Sequence, residues 1–176
     1  MADFDSTKID GESLEECLAC FEAEKNVIAF QTKEAGLFNE TMSKHADSVL
    51  TSPASAKEAA EAARRLKFAA DEILKRFNEI SPIPRKAIVM HQAWFATLIA
   101  NRIWALATCG AIEAMTGGMS PDMPQLQQVL GQLQETWESA NEGDKEFLAG
   151  LGVSSDVVTN IVSRATAKES TWEPHC

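Results

Sequence analysis

Residues 84–116 constrain this chain more than any other stretch. Nearly every position from Ala87 to Met115 is apolar or small, and none is proline. The run is long enough to cross a bilayer, which takes about 20 apolar residues. His91, Gln92, Asn101, Arg102 and Glu113 interrupt it, and charges are costly in lipid. The expectation is a soluble helix buried on most sides, the axle of a helical bundle, with no membrane span.

The flanking sequence supplies helices to surround it. Ser13-Leu14-Glu15-Glu16 has the form of a capping box and opens a helix predicted to run to about Leu50. Its heptad stripe reads Leu14, Cys17, Phe21, Ile28, Ala35, Phe38, Met42, His45 and Val49, broken by Glu24 and Gln31. Gly36 weakens it locally. A second capping box is read at Ser55-Ala56-Lys57-Glu58. The helix after it has the most regular pattern in the chain: Ala56, Ala59, Ala63, Leu66, Ala70, Ile73, Phe77, Ile80. Ser81-Pro82-Ile83-Pro84 stops that helix and turns it back into the axle as an antiparallel hairpin. The small stripe of the axle, Ala93, Ala96, Ala100, Ile103, Ala107, Gly110 and Ala114, is expected to meet the small residues of the preceding helix.

Thr116-Gly117-Gly118 ends the axle. A fourth helix is expected over about Pro121–Ala140, broken by Asn141-Glu142-Gly143-Asp144. Two short helices follow, near Lys145–Ala149 and Asp156–Lys168. No stretch alternates at period two, so no sheet is predicted. The fold class is all-α: an antiparallel bundle of four principal helices plus one or two short C-terminal helices. The organisation is an acidic N-terminal segment (1–12), one bundle domain (13–168) and a polar tail (169–176).

The formal net charge is −10. That disfavours a broad nucleic-acid surface. The N-terminus lacks an apolar signal core, and four cysteines without one suggest reduced thiols in the cytoplasm.

Candidate chemistry is sparse. Cys17-Leu18-Ala19-Cys20 is a CxxC inside a helix, not at the head of one after a strand. His91 starts the axle at the same end of an up-down bundle, and His175-Cys176 could in principle complete a ligand set. No companion pair has metal-ligand spacing, so no metal and no cofactor are expected. His45 and His91 fall at opposite ends, which excludes a haem pair. His91, Arg102 and Glu113, spaced by eleven, are read as one polar stripe needing partners such as Glu24, Gln31 or His45.

Arg85-Lys-Ala-Ile-Val-Met-His91 has the form R-x5-H. It resembles the ribonuclease motif of HEPN domains, all-helical proteins that use this arginine and histidine at a dimer cleft. The resemblance implies RNA cleavage by Arg85 and His91. The residues themselves favour a non-enzymatic helical interaction protein, regulatory or structural, with a protein partner or a second copy. Its expected contact surfaces are the Trp94/Phe95/Leu98 face and the acidic end at Glu15 and Glu16. A subunit of a capsid or filament is a further alternative.

Overall fold

The computed structural model describes residues 8–9 and 12–169. The His175-Cys176 pair and most of the acidic first ten residues lie outside them. Five α-helices account for most of the described residues: α1 (Leu14–His45), α2 (Pro53–Asn78), α3 (Ile88–Thr116), α4 (Met123–Leu151) and α5 (Ser155–Glu169). The fold is an all-α helical bundle. A two-residue antiparallel pair, β1 (Lys8–Ile9) with β2 (Glu12–Ser13), precedes it, where no strand is predicted. The Glu12 carboxylate accepts from the backbone N–H of Arg85 at 2.6 Å, tying this segment to the 3-10 turn Arg85–Ala87 that leads into α3.

The capping box at Ser13 forms as the sequence predicts: Ser13 Oγ accepts from the Glu16 N–H at 3.0 Å, and Glu16 Oε2 accepts from the Ser13 N–H. The second box does not form. α2 is capped at Ser52 with Pro53 in the first turn, and Glu58 instead meets His45 of α1, 2.7 Å away. Proline is the stronger signal here, because its fixed φ and missing donor suit a first helical turn.

α2 buries the stripe its sequence predicts, from Ala59 through Ala63, Leu66, Ala70 and Ile73 to Phe77. α3 departs from expectation. Its buried face is Met90, Trp94, Thr97, Leu98, Asn101, Ala105, Thr108, Cys109 and Ile112. The small stripe turns outward: Ala96 and Gly110 are exposed, and Ala93, Ala100 and Ala107 are half-buried. Burying Trp94, Leu98 and Ile112 removes more apolar area from water than burying alanines, so the larger stripe takes the core. Ala63→Leu is therefore expected to cost about 1–3 kcal/mol by overpacking. Ala100→Leu, on the flank, should cost much less. Denaturation midpoints compare the two.

α4 also departs from expectation. It runs unbroken through Asn141–Asp144. Gly143 backs onto α3, where an added Cβ would lie 3.7 Å from the Met90 Cα. Asp144 is buried and bonded to α3, so packing overrides weak local propensity. Gly118, after α3, takes φ 76°, a left-handed conformation that glycine adopts without strain.

α3 packs between α2 and α4, while α1 packs on α2 and α5. α1 and α4 do not approach closely along their backbones. Among the described residues, side chains bridge them through the Lys25–Asp144 ion pair and the Phe21–Phe147 ring contact. Beyond that bridge the seam between α1 and α4 is open.

Candidate functional site

Two features meet at the α1/α4 seam: a buried polar cluster that closes one end, and a groove at the other.

The cluster grows from the position where the α1 stripe breaks. Glu24 is 0% exposed. Its Oε1 lies 2.7 Å from His91 Nδ1, and Cys20 Sγ donates to the same oxygen at 3.8 Å. Its Oε2 is buried without a hydrogen-bond partner among the described residues. Burial, with Asp144 nearby adding to it, pushes the Glu24 carboxyl up to about 8; Lys25 acts against that rise. Burial also holds His91 below the usual histidine value. The close Glu24–His91 contact is a hydrogen bond inside the buried cluster. The ring stacks on Phe77, centroids 4.5 Å apart.

On the next residue, Lys25 pairs with Asp144 of α4 and lies 4.2 Å from the centroid of the Trp94 ring. Trp94 Nε1–H donates to the other Asp144 oxygen at 2.8 Å. Trp94 in turn packs edge-on against Trp137, centroids 5.2 Å apart. One buried network therefore fixes α1, α3, α4 and the orientation of Trp137.

Trp137 is a wall of the groove. The groove encloses about 680 Å3 between α1, α3 and α4. Its apolar lining comes from Ala35 and Gly36 of α1, Trp104 of α3, and Leu130, Leu133 and Trp137 of α4. Gln31 and Asn101 bring buried amides to it. Gln31 is 5% exposed, and its Oε1 has no hydrogen-bond partner among the described residues. Buried carbonyl oxygens are rarely left so, because an unmade bond costs about 1–3 kcal/mol. Gly36 leaves open space: a Cβ there would meet nothing within 4 Å. Among the described residues, Glu138 is the one charged residue in the lining. The volume falls in the range of ligand sites, ~300–1,000 Å3, and apolar walls with a few convergent polar groups are typical of them.

The expected site residues are distributed differently. Trp94 and Leu98 are both 1% exposed, and Phe95 is half-buried beside Phe77, so this face is core and presents no contact surface. The reason is the register of α3, whose bulky stripe turns inward. Glu15 and Glu16 are exposed, Glu16 within the capping box. The CxxC does come near His91, but through Glu24. Burial raises the Cys17 thiol and pushes Cys20 up to about 12, which leaves both thiols protonated and unreactive at neutral pH. Among the described residues no cluster of three His, Cys, Asp or Glu is placed to hold a metal ion. The histidine of the R-x5-H pattern is held by Glu24 and Phe77, whereas Arg85 lies exposed in the 3-10 turn. The polar stripe of α3 divides: His91 meets Glu24, Arg102 pairs with Asp71 of α2, and Glu113 accepts from Cys109.

Sequence reasoning did not single out Trp104, and it placed Leu130, Leu133 and Trp137 only within the expected fourth helix. Two signals pointed to the groove: Gln31 breaking an apolar stripe, and a glycine at Gly36 in mid-helix. No protein-family model matches the chain, and neither a curated protein nor a solved structure matches it.

Proposed function

We propose that the protein is a non-enzymatic interaction protein, and that the open α1/α4 seam receives a basic amphipathic helix of a protein partner. The observation that carries this reading is the unpartnered Gln31 carbonyl in a groove walled by Trp104, Trp137, Leu130 and Leu133. Helix-in-groove recognition places apolar side chains at i, i+3 or i+4, and i+7 into such a trough. The seam spans residues 31–39 of α1 and 130–138 of α4, about 12 Å of helix at 1.5 Å per residue. That length matches an i to i+7 anchor set. The lining has Glu138 and no lysine or arginine, and the chain carries a net charge of −10. Both favour lysine or arginine on the flanks of the incoming helix.

The test uses a Leu/Lys amphipathic peptide of roughly four helical turns, with a Leu/Glu peptide of the same pattern as control. The native protein should bind the basic peptide, and bind it less tightly as salt rises. Gly36→Phe should abolish that binding by filling the trough. It should also leave the fold intact, since open space surrounds Gly36 and a mid-helix glycine costs about 0.5–1 kcal/mol relative to alanine. Equal binding of the acidic peptide, or undiminished binding to a folded Gly36→Phe protein, would overturn the proposal.

A further inference from the structure

We infer that a second copy of this chain packs on the outward face of α3, the two α3 helices antiparallel about a two-fold axis at Ile103. This surface lies on the outer side of α3, and the inference stands apart from the groove. The outward stripe reads Val89, Gln92, Ala96, Ile99, Ile103, Leu106, Gly110 and Glu113, stepping by three and four throughout. Val89 is 70% exposed, Ile103 44%, Ile99 38% and Leu106 36%. Large apolar side chains in one contiguous row mark an interaction site more often than scattered ones do.

The order of the stripe selects the partner. Reversed about Ile103, the stretch from Gln92 to Glu113 reproduces its own chemistry, and Val89 lies beyond the matched part. Ala96 and Gly110 stand seven residues to either side, so small meets small. Ile99 and Leu106 stand four and three residues away, so branched aliphatic meets branched aliphatic. Gln92 and Glu113 stand eleven and ten away, so an amide N–H donor meets a carboxylate. Ile103 meets its own copy. An isologous two-fold contact requires this self-complementarity, and a contact with a different molecule does not. Gly110 adds an independent observation. It lies in the interior of α3, where glycine costs about 0.8–1.0 kcal/mol relative to alanine. Among the described residues a Cβ there would meet no atom within 4 Å, so no contact among them requires glycine at that position. Close approach of a second backbone at that point gives the glycine a use. Charge agrees: Arg102, beside the stripe, is already paired with Asp71, so the approach leaves no cation uncompensated.

The experiment is crosslinking by cysteine substitution in a Cys176→Ser background, since Cys17, Cys20 and Cys109 are buried. Light scattering of that background protein should give twice the chain mass. Mild oxidation should join Ile103→Cys chains to one another. Ile99→Cys and Leu106→Cys should each fail to crosslink alone and should crosslink when mixed. Ile103→Glu, at a half-exposed position, should halve the mass while keeping the helical circular dichroism. A monomeric protein would overturn the inference. So would Ile99→Cys chains that join to each other, which would mean parallel helices, or a monomer that sediments with neutral phosphatidylcholine vesicles, which would make the stripe a membrane contact.

Discussion

Asp144→Ala is expected to destabilise the fold by about 3–5 kcal/mol, the usual cost of removing one partner from a buried ion pair. Lys25 and Asp144 have side chains only 12% exposed, and burial already lowers the Lys25 ammonium's proton affinity, with Asp144 opposing that shift. Without the carboxylate the ammonium keeps the Trp94 and Phe21 rings and its weaker interaction with Glu24. Trp94 Nε1–H also loses its acceptor. The loss should be larger than for Arg102→Ala, whose Asp71 contact is nearly half exposed and worth at most ~1 kcal/mol. Urea titrations of both variants measure the difference. Similar midpoints would mean that the α1–α4 bridge contributes nothing to stability.

Glu24 should make stability fall as pH rises. Its carboxyl is raised in the folded protein from an ordinary 4.5 to about 8, so the folded chain binds a proton that the unfolded chain releases. The contribution is complete below pH 4.5 and is lost as pH passes through 8. Inside that window the slope reaches about 1.4 kcal/mol per pH unit. His91 works in the opposite sense: its lowered value favours folding above 6.5, and that share is lost as pH falls. Cys20, raised in the same sense, adds pH dependence only above 9, where its share is lost in turn. Between 6.5 and 8 Glu24 therefore dominates. Glu24→Gln keeps the shape and removes the titration. The gap between the two stability–pH curves should close in favour of the variant as pH rises. Parallel curves would mean that Glu24 is ionised in the folded protein.

Helix positions were legible where local and tertiary preferences agree. α2 follows its three-four pattern from Ala59 to Phe77, and α1 starts at its capping box. The reading failed where packing outweighs propensity. Asn141-Glu142-Gly143-Asp144 has the composition of a break, yet Gly143 is the close contact to Met90 and Asp144 anchors Trp94. α3 offered two stripes of equal regularity, and only the volume to be buried decides between them. That choice turned Trp94 and Leu98 inward and left Ile99, Ile103 and Leu106 outside.

The candidate site was partly visible as an anomaly. Glu24 and Gln31 interrupt the α1 stripe, and both prove to be buried. A polar residue on an apolar stripe announces a buried polar group, but periodicity does not say what faces it. Asp144 lies more than a hundred residues from Lys25, and the opening of the seam depends on α4 diverging from α1. Neither has a local signature. Gly36 came closest to one, since an exposed mid-helix glycine has a cost and no structural return inside the chain.

Hydrogen exchange with and without the Leu/Lys peptide tests the central claim most directly, because it reports where binding occurs. Added protection is expected over residues 31–39 of α1 and 130–138 of α4, with the outward face of α3 unchanged. Protection confined to other helices, or none at saturating peptide, would contradict the assignment of the α1/α4 seam as the binding groove.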